Sequence, residues 1–84
     1  MKTRSGFEFD IDTDVLDDME LVDAIAETEE NPVAFSKVID IVLGADKKRL
    51  YEHIKKTRKT KRVTVTAMSE EIEDIFEALN AKNS

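Results

Sequence analysis

The sequence predicts a mainly α protein, a small single-domain bundle of about four helices preceded by a short β-hairpin. Apolar residues recur at helical spacing along most of the chain, and only one early segment alternates between apolar and polar residues. The two glycines and the one proline separate these segments. With 84 residues the chain is long enough for one hydrophobic core and too short for two, so residues 1–84 are predicted to form a single domain.

The β-hairpin is predicted over about residues 2–12. Ser5 and Gly6 supply the turn, and Phe7, Phe9 and Ile11 then alternate with acidic residues. An isolated hairpin is marginally stable, so we expect its apolar face to pack against the helices.

The first helix is predicted over about residues 14–28. Asp12, Thr13 and Asp14 supply N-cap and first-turn chemistry. An apolar stripe at helical spacing is expected to face the core, and it consists of Val15, Met19, Val22 and Ala26, flanked by Leu16, Leu21 and Ile25.

The second helix is predicted over about residues 32–43. Asn31 is a good N-cap, Pro32 suits the first helical position, and Gly44 is a typical stop. Its apolar stripe consists of Phe35, Val38, Ile39 and Val42.

The third helix is predicted over about residues 46–57, with Asp46 as its N-cap. Leu50, Tyr51 and Ile54 are expected to face inward, whereas the basic side chains of this helix face water.

Two interpretations fit the segment that follows. The alternation of Val63, Thr64, Val65 and Thr66 is typical of a strand over 63–67, with Ser69 then capping a helix. A longer stripe instead predicts a fourth helix over about residues 65–81 with Thr64 as N-cap, and this is the interpretation we adopt. The stripe consists of Val65, Met68, Ile72, Ile75, Phe76 and Leu79.

Five apolar side chains on the second and fourth predicted helices have the spacing of core positions: Phe35, Ile39, Ile72, Ile75 and Phe76. If Phe76 lies in the core, its truncation to Ala is expected to cost about 3 to 5 kcal/mol of stability.

Charge is distributed unevenly along the chain. Residues 1–46 hold 13 acidic and 3 basic side chains, residues 47–62 hold 1 and 9, and residues 63–84 hold 5 and 1. The net charge of -6 disfavours general attraction to nucleic acid, but the basic middle segment leaves room for one acidic partner. The predicted partner-binding residues are Lys55, Lys56, Arg58, Lys59, Lys61 and Arg62.

A nucleic-acid partner is disfavoured for this basic segment. Residues 55–62 contain no aromatic side chain on which a base could stack, and the chain has no Gly-rich phosphate loop. An exposed helix end that balances an acidic body is the plainest interpretation, and an acidic protein partner is the main functional one.

No catalytic set, cofactor site or metal site is predicted, so we expect a binding protein and not an enzyme. The chain has no Cys, and His53 is its only histidine, with no nearby sequence partner for catalysis or metal binding. Asp10, Asp12 and Asp14 resemble the start of a calcium-binding loop, but Val15 and Leu21 stand where Gly and Glu are required. No segment resembles a signal peptide or a membrane span, and we expect the protein to stay in the compartment where it is made.

The order of segments resembles that of the small tail assembly chaperones of long-tailed (siphophage-type) bacteriophages and prophages of Gram-positive bacteria. The resemblance covers nearly the whole chain. It is carried by GFEFDIDTDVLDDMELVDAIAE at 6–27, NPVAFSKVIDIVLG at 31–44, LYEHI at 50–54 and VTVTAMSEEIEDIFEAL at 63–79. Relatives often have Gly or Pro in the loop before the last helix, where this chain has Lys61, Arg62 and Val63.

This resemblance implies a non-enzymatic factor of the host cytoplasm that is absent from the mature virion. Such a chaperone binds the tape measure protein, keeps its apolar helical surface from aggregating and helps to recruit tail tube subunits. The family offers no catalytic residues. A small nucleic-acid-binding regulator that uses the basic segment 47–62 is the alternative function, and self-association is left open.

Overall fold

The computed structural model describes residues 1–83. These residues contain four α-helices and three short 3-10 helices. The α-helices are α1 (Met19–Glu30), α2 (Phe35–Leu43), α3 (Lys47–Arg58) and α4 (Val65–Asn83). The 3-10 helices are Thr13–Asp17, Pro32–Ala34 and Gly44–Asp46. Helices account for 75% of the chain, which confirms the predicted mainly helical class.

The predicted hairpin over residues 2–12 is wrong, because residues 1–83 contain no strand. A tight turn takes its place, in which the Gly6 N–H donates to the Thr3 carbonyl at 3.0 Å and Gly6 adopts a φ of +93° that favours glycine. One isolated antiparallel bridge joins Lys2 to Glu8. The Thr3 N–H donates to the Phe7 carbonyl and the Phe9 N–H donates to the Met1 carbonyl, both at 2.9 Å, on either side of this bridge. Phe7 and Phe9 are nevertheless buried, so the apolar alternation indicates burial without a strand.

A break at Asp18 divides the predicted first helix over 14–28 into a 3-10 helix and α1. The backbone of Asp18 is extended, and its carboxylate accepts a hydrogen bond from the Glu20 N–H at 2.8 Å. Asp12 caps the preceding 3-10 helix in the same way, through the Asp14 N–H at 2.9 Å. Two successive Asp N-caps therefore start two elements where the sequence was interpreted as one.

The break also changes which side of α1 faces the core. Leu21 and Ala24 are buried, whereas four residues of the predicted apolar stripe and its flank are exposed: Met19, Val22, Ile25 and Ala26. The predicted inward-facing stripe of this helix is therefore wrong. It assumed one continuous helical phase from Val15 onward, and the extended Asp18 interrupts that phase.

The segment around α2 follows the predicted start and stop signals. The Asn31 side chain accepts from the Val33 N–H at 3.3 Å, and Pro32 opens a 3-10 turn that leads into α2. Gly44 ends α2 with a φ of +53°. Asp46, however, makes no side-chain cap for α3, because its backbone is already helical and its carboxylate pairs with Arg49 at 3.5 Å.

The last helix begins at Val65, and the alternative of a strand over 63–67 is wrong. The Thr64 hydroxyl accepts from the Ala67 N–H at 3.1 Å, and the Thr64 carbonyl accepts from the Met68 N–H at 3.1 Å. This N-cap satisfies backbone donors at the start of α4 that would otherwise lack partners.

One hydrophobic core joins the N-terminal turn to all four helices. Its largest fully buried side chains are Phe7, Leu21, Leu50, Ile54, Ile75 and Leu79. Of the five predicted core positions, Ile39, Ile72 and Ile75 are buried, but Phe35 and Phe76 are only partly buried and pack against the outside of the core. The core prediction is therefore confirmed for the three isoleucines, whereas Phe35 and Phe76 lie at the edge of the core. On α4 the apolar stripe is wider than the core behind it.

The neighbouring residues Ile75 and Phe76 provide a test of this boundary. We expect Ile75→Ala to lower the free energy of unfolding by about 2 to 5 kcal/mol, because a fully buried side chain leaves a cavity. Phe76→Ala should cost less although its side chain is larger, because part of the ring already contacts water. Urea denaturation of both variants measures the difference, and a larger loss for Phe76→Ala would contradict the described packing.

Candidate functional site

An open apolar groove lies between α1, α2 and α4. Helix α1 packs closely against α2, and α4 approaches the first 3-10 helix more closely than it approaches α1 or α2. A groove of about 450 Å³ is left between these helices. Its apolar lining consists of Ile25, Pro32, Phe35, Val38, Val65, Ile72 and Phe76.

The charged side chains that line this groove are both acidic. Glu29 stands on α1 and Glu73 on α4, beside the smaller polar residues Thr28 and Ser69. Both glutamates are exposed, and neither forms an ion pair within residues 1–83. The groove is therefore apolar along its base and negative at its rim.

A second, smaller apolar depression continues the groove across the start of α2. The two share Pro32, Phe35 and Val65, and the second adds Val33 and Met68 among others. Val33 and Val65 are 78% and 70% exposed, which is unusual for large apolar side chains that lie close together. The apolar surface thus extends from α1 over the start of α2 to the start of α4.

Sequence reasoning missed this groove. The residues of α4 that line it recur at helical spacing beside the core stripe: Val65, Ser69, Ile72, Glu73 and Phe76. The signal available was the width of the apolar stripe on α4, which exceeds what one buried face requires.

The predicted partner-binding residues lie at the end of α3 and in the loop after it. Lys55, Lys56 and Arg58 occupy its last turn, Lys59 is the C-cap, and Lys61 and Arg62 follow. These six residues surround one helix end, separate from the groove lining. Their role in binding a partner stays a prediction.

Two of these six cations are held by carboxylates. Arg58 donates to Glu70 on α4 at 2.6 Å, and this hydrogen bond raises the pKa of the guanidinium above its usual value. Lys55 pairs with Glu52 at 3.6 Å. Within the described part of the chain the other four form no ion pair: Lys56, Lys59, Lys61 and Arg62.

Lys59 adopts a left-handed conformation with a φ of +54°. Its N–H and that of Thr60 both donate to the Lys55 carbonyl, and this pattern closes the end of α3 and turns the chain toward α4.

A polar cluster with a buried carboxylate at its centre, which we call the clasp, joins the N-terminal turn to α3 and α4. It consists of Thr3, Ser5, His53 and Glu71. Glu71 is only 3% exposed, and its Oε1 accepts from the Thr3 hydroxyl at 2.9 Å and from the Ser5 hydroxyl at 2.6 Å. The Ser5 oxygen also lies 3.0 Å from His53 Nε2. Because the Ser5 hydroxyl donates its hydrogen bond to Glu71, His53 Nε2 is the donor in the contact between His53 and Ser5.

The clasp has the residue types of a hydrolytic triad but a different arrangement. In a triad the histidine accepts the serine proton and the carboxylate orients the histidine. Here the carboxylate binds the serine directly, so the Ser5 proton is directed away from His53. This geometry holds the serine in place and does not activate it as a nucleophile. The sequence showed no partner for His53 nearby, and the contacts of Ser5 with His53 and Glu71 were not predicted.

Arg49 of α3 contacts Phe7 and Glu8, which follow the N-terminal turn. Its guanidinium carbon lies 4.4 Å from the centre of the Phe7 ring, and its Nη1 donates to the Glu8 carbonyl at 2.7 Å. A cation over an aromatic face contributes about 0.5 to 1 kcal/mol at an exposed site. The turn is therefore held by both a buried carboxylate and a surface guanidinium.

Two further searches concern only the residues that the structure describes. No group of three His, Cys, Asp or Glu side chains is arranged so that it could hold a metal ion. No helix in this part of the chain has the length and apolar character needed to cross a membrane.

Comparison with known proteins adds no assignment. The chain matches no protein-family model, no curated protein and no solved structure at a significant level. Any function for the groove must therefore be argued from its own geometry and charge.

The clasp makes a prediction about stability. We expect Glu71→Ala to lower the free energy of unfolding by about 1 to 3 kcal/mol, because Thr3 and Ser5 lose their shared buried acceptor. Glu73→Ala on the same helix should change it by less than about 0.5 kcal/mol, because that side chain is exposed. Denaturant titration measures both values. Faster amide exchange at Phe7 in Glu71→Ala alone would locate the loss at the turn, and equal stability of the two variants would contradict this role for the clasp.

Proposed function

We propose that this protein is a phage tail assembly chaperone that binds the tape measure protein and helps to recruit tail tube subunits. The observation that carries the proposal is the uncovered apolar groove walled by α1, α2 and α4. The resemblance in the order of segments adds the identity of the partner. In this proposal the protein acts in the host cytoplasm without enzymatic activity and is absent from the mature virion.

The groove has the form expected of a protein that holds another chain's helices. An amphipathic helix binds other helical proteins by placing its apolar face in such a groove. A cavity of about 150 Å³ accepts one benzene-sized group, so the groove's volume of about 450 Å³ suits two or three large apolar side chains. Exposed helical segments of a long tape measure protein would supply such side chains before the tail is assembled.

The basic end of α3 is available for a second contact. Its four unpaired cations lie outside the groove lining, so an acidic surface could bind there while the groove is occupied. We assign this surface to a tail tube subunit within the same proposal.

Coexpression with the tape measure protein of the same phage tests the proposal. We expect the wild-type chain to keep that protein soluble, and we expect Val65→Asp to abolish the effect. Val65 lies in the groove and is 70% exposed at the first position of α4. Burying a valine contributes about 1.5 to 3 kcal/mol, so its loss should weaken binding about tenfold or more.

Met19→Asp is the matched control for this experiment. Met19 is 65% exposed at the first position of α1 but does not line the groove. An aspartate is tolerated at both helix starts, so neither variant should unfold the protein. A tape measure protein that stays insoluble with the wild-type chain would refute the proposal. Equal effects of the two variants would show that the groove is not the surface that binds the tape measure protein.

A nucleic-acid-binding regulator is the competing function, and the four unpaired cations at the end of α3 are the observation that favours it. We expect no specific duplex binding by the wild-type protein at moderate salt, because its net charge is -6. The test variant reverses Lys56, Lys59, Lys61 and Arg62 to Glu, which leaves the ion pairs of Lys55 and Arg58 intact. Affinity for DNA that falls steeply with salt in the wild type and is absent in the variant would support the regulator instead.

A further inference from the structure

We infer that the groove between α1, α2 and α4 selects a basic amphipathic helix of a different protein. The partner helix would carry a stripe of large apolar side chains flanked by Lys or Arg. This inference specifies the partner chemistry of the proposed chaperone site and rests on that proposed function.

The walls of the groove determine the sign of the partner's charge. Helix α1 carries five acidic side chains and no basic one, namely Glu20, Asp23, Glu27, Glu29 and Glu30. Of these, only Glu29 lines the groove. On α4 the groove is lined by Glu73, whereas Glu71 is buried in the clasp and the other three acidic side chains are paired: Glu70 with Arg58, and Asp74 and Glu77 with Arg4. The two unpaired rim carboxylates, Glu29 and Glu73, would repel an acidic partner and can pair with a basic one.

The helical walls of the groove indicate the secondary structure of the partner. Residues 1–83 present no strand to which an extended peptide could add another. The groove is formed by side-chain ridges of three helices, and such grooves accept the ridges of a further helix. A helix of about 18 residues is about 27 Å long, which fits the 30 to 35 Å length of the molecule's larger faces.

A second copy of this chain does not supply such a helix. Its one basic helix is α3, and the apolar residues Leu50 and Ile54 of α3 are buried in its own core. Among its exposed large apolar residues, Met19, Val22 and Ile25 lie on the acidic helix α1, which the groove would repel. Val33 and Val65 belong to the apolar surface itself, and Met1 lies beside the N-terminal turn, so none of these three is on a basic helix. The occupant is therefore a separate, basic helical segment.

Two synthetic probes test the charge preference. Both are amphipathic helical peptides of about 18 residues with the same leucine stripe, and the flanking residues are lysine in one and glutamate in the other. Fluorescence anisotropy should show that the wild-type protein binds the lysine peptide more tightly than the glutamate peptide. Added salt should reduce this difference, because exposed charges are screened.

Charge reversal at the rim should exchange the preference. We expect Glu29→Lys combined with Glu73→Lys to weaken binding of the lysine peptide about tenfold and to strengthen binding of the glutamate peptide. The control is Asp23→Lys combined with Glu30→Lys, which changes the net charge equally on exposed residues outside the groove lining. The control should stay within about twofold of wild type at moderate salt.

Several results would overturn the inference. These are equal wild-type affinity for both peptides, an equal loss in the control, or a wild-type dimer in sedimentation that Val65→Asp dissociates. Gain of glutamate-peptide binding by the rim variant also shows that this variant is folded.

The same experiments separate this inference from the proposed function. An insoluble tape measure protein together with selective binding of the lysine peptide would refute the chaperone and support the groove's charge preference. A soluble tape measure protein together with no preference between the peptides would support the chaperone and refute the groove's charge preference.

Discussion

The buried carboxylate of Glu71 is the constraint on which the rest of the arrangement depends. A carboxylate that is almost fully removed from water must be hydrogen-bonded, and Thr3 and Ser5 supply those bonds from the N-terminal turn. The turn then places the Phe7 and Phe9 side chains in the core, where the Phe7 ring contacts His53 of α3. On an α-helix, positions 71 and 73 point about 200° apart, so anchoring one side of α4 to the turn directs Glu73 and Phe76 to the groove.

The helical class and most element boundaries could be predicted because their signals are local. Asn31 with Pro32, Gly44 and Thr64 act through bonds or backbone angles within a few residues, and the structure uses all of them. The hairpin and the continuous first helix failed for tertiary reasons. Alternation at Phe7 and Phe9 reports burial and cannot distinguish a strand from an extended turn, and Asp18 was interpreted as a helix residue although aspartate also caps helices.

The groove and the clasp could not be predicted because each combines residues distant in sequence. Nothing near Ser5 indicates that it meets a residue 66 positions away, and nothing near Ile25 indicates that Phe76 stands opposite. Periodicity also treats Ile75 and Phe76 alike, although one is fully enclosed and the other is partly open to water. The apolar stripe on α4 is wider than its core-facing side, and its outer edge lines the groove.

The positive charge at the end of α3 has a weaker reach than its residues suggest. Unsatisfied carbonyls at a helix C-terminus carry about half a negative charge, and the cations of the last turn and the cap surround that end. Lys59 tolerates a left-handed backbone there, at a cost of about 1 kcal/mol, and its ammonium group offsets part of that cost through the helix macrodipole. Glu52 and Glu70 neutralise two more cations. The two carboxylates and the helix end together offset part of the positive charge at this site, so a distant polyanion meets a weaker field than six cations would produce. A partner in direct contact encounters the individual charged groups.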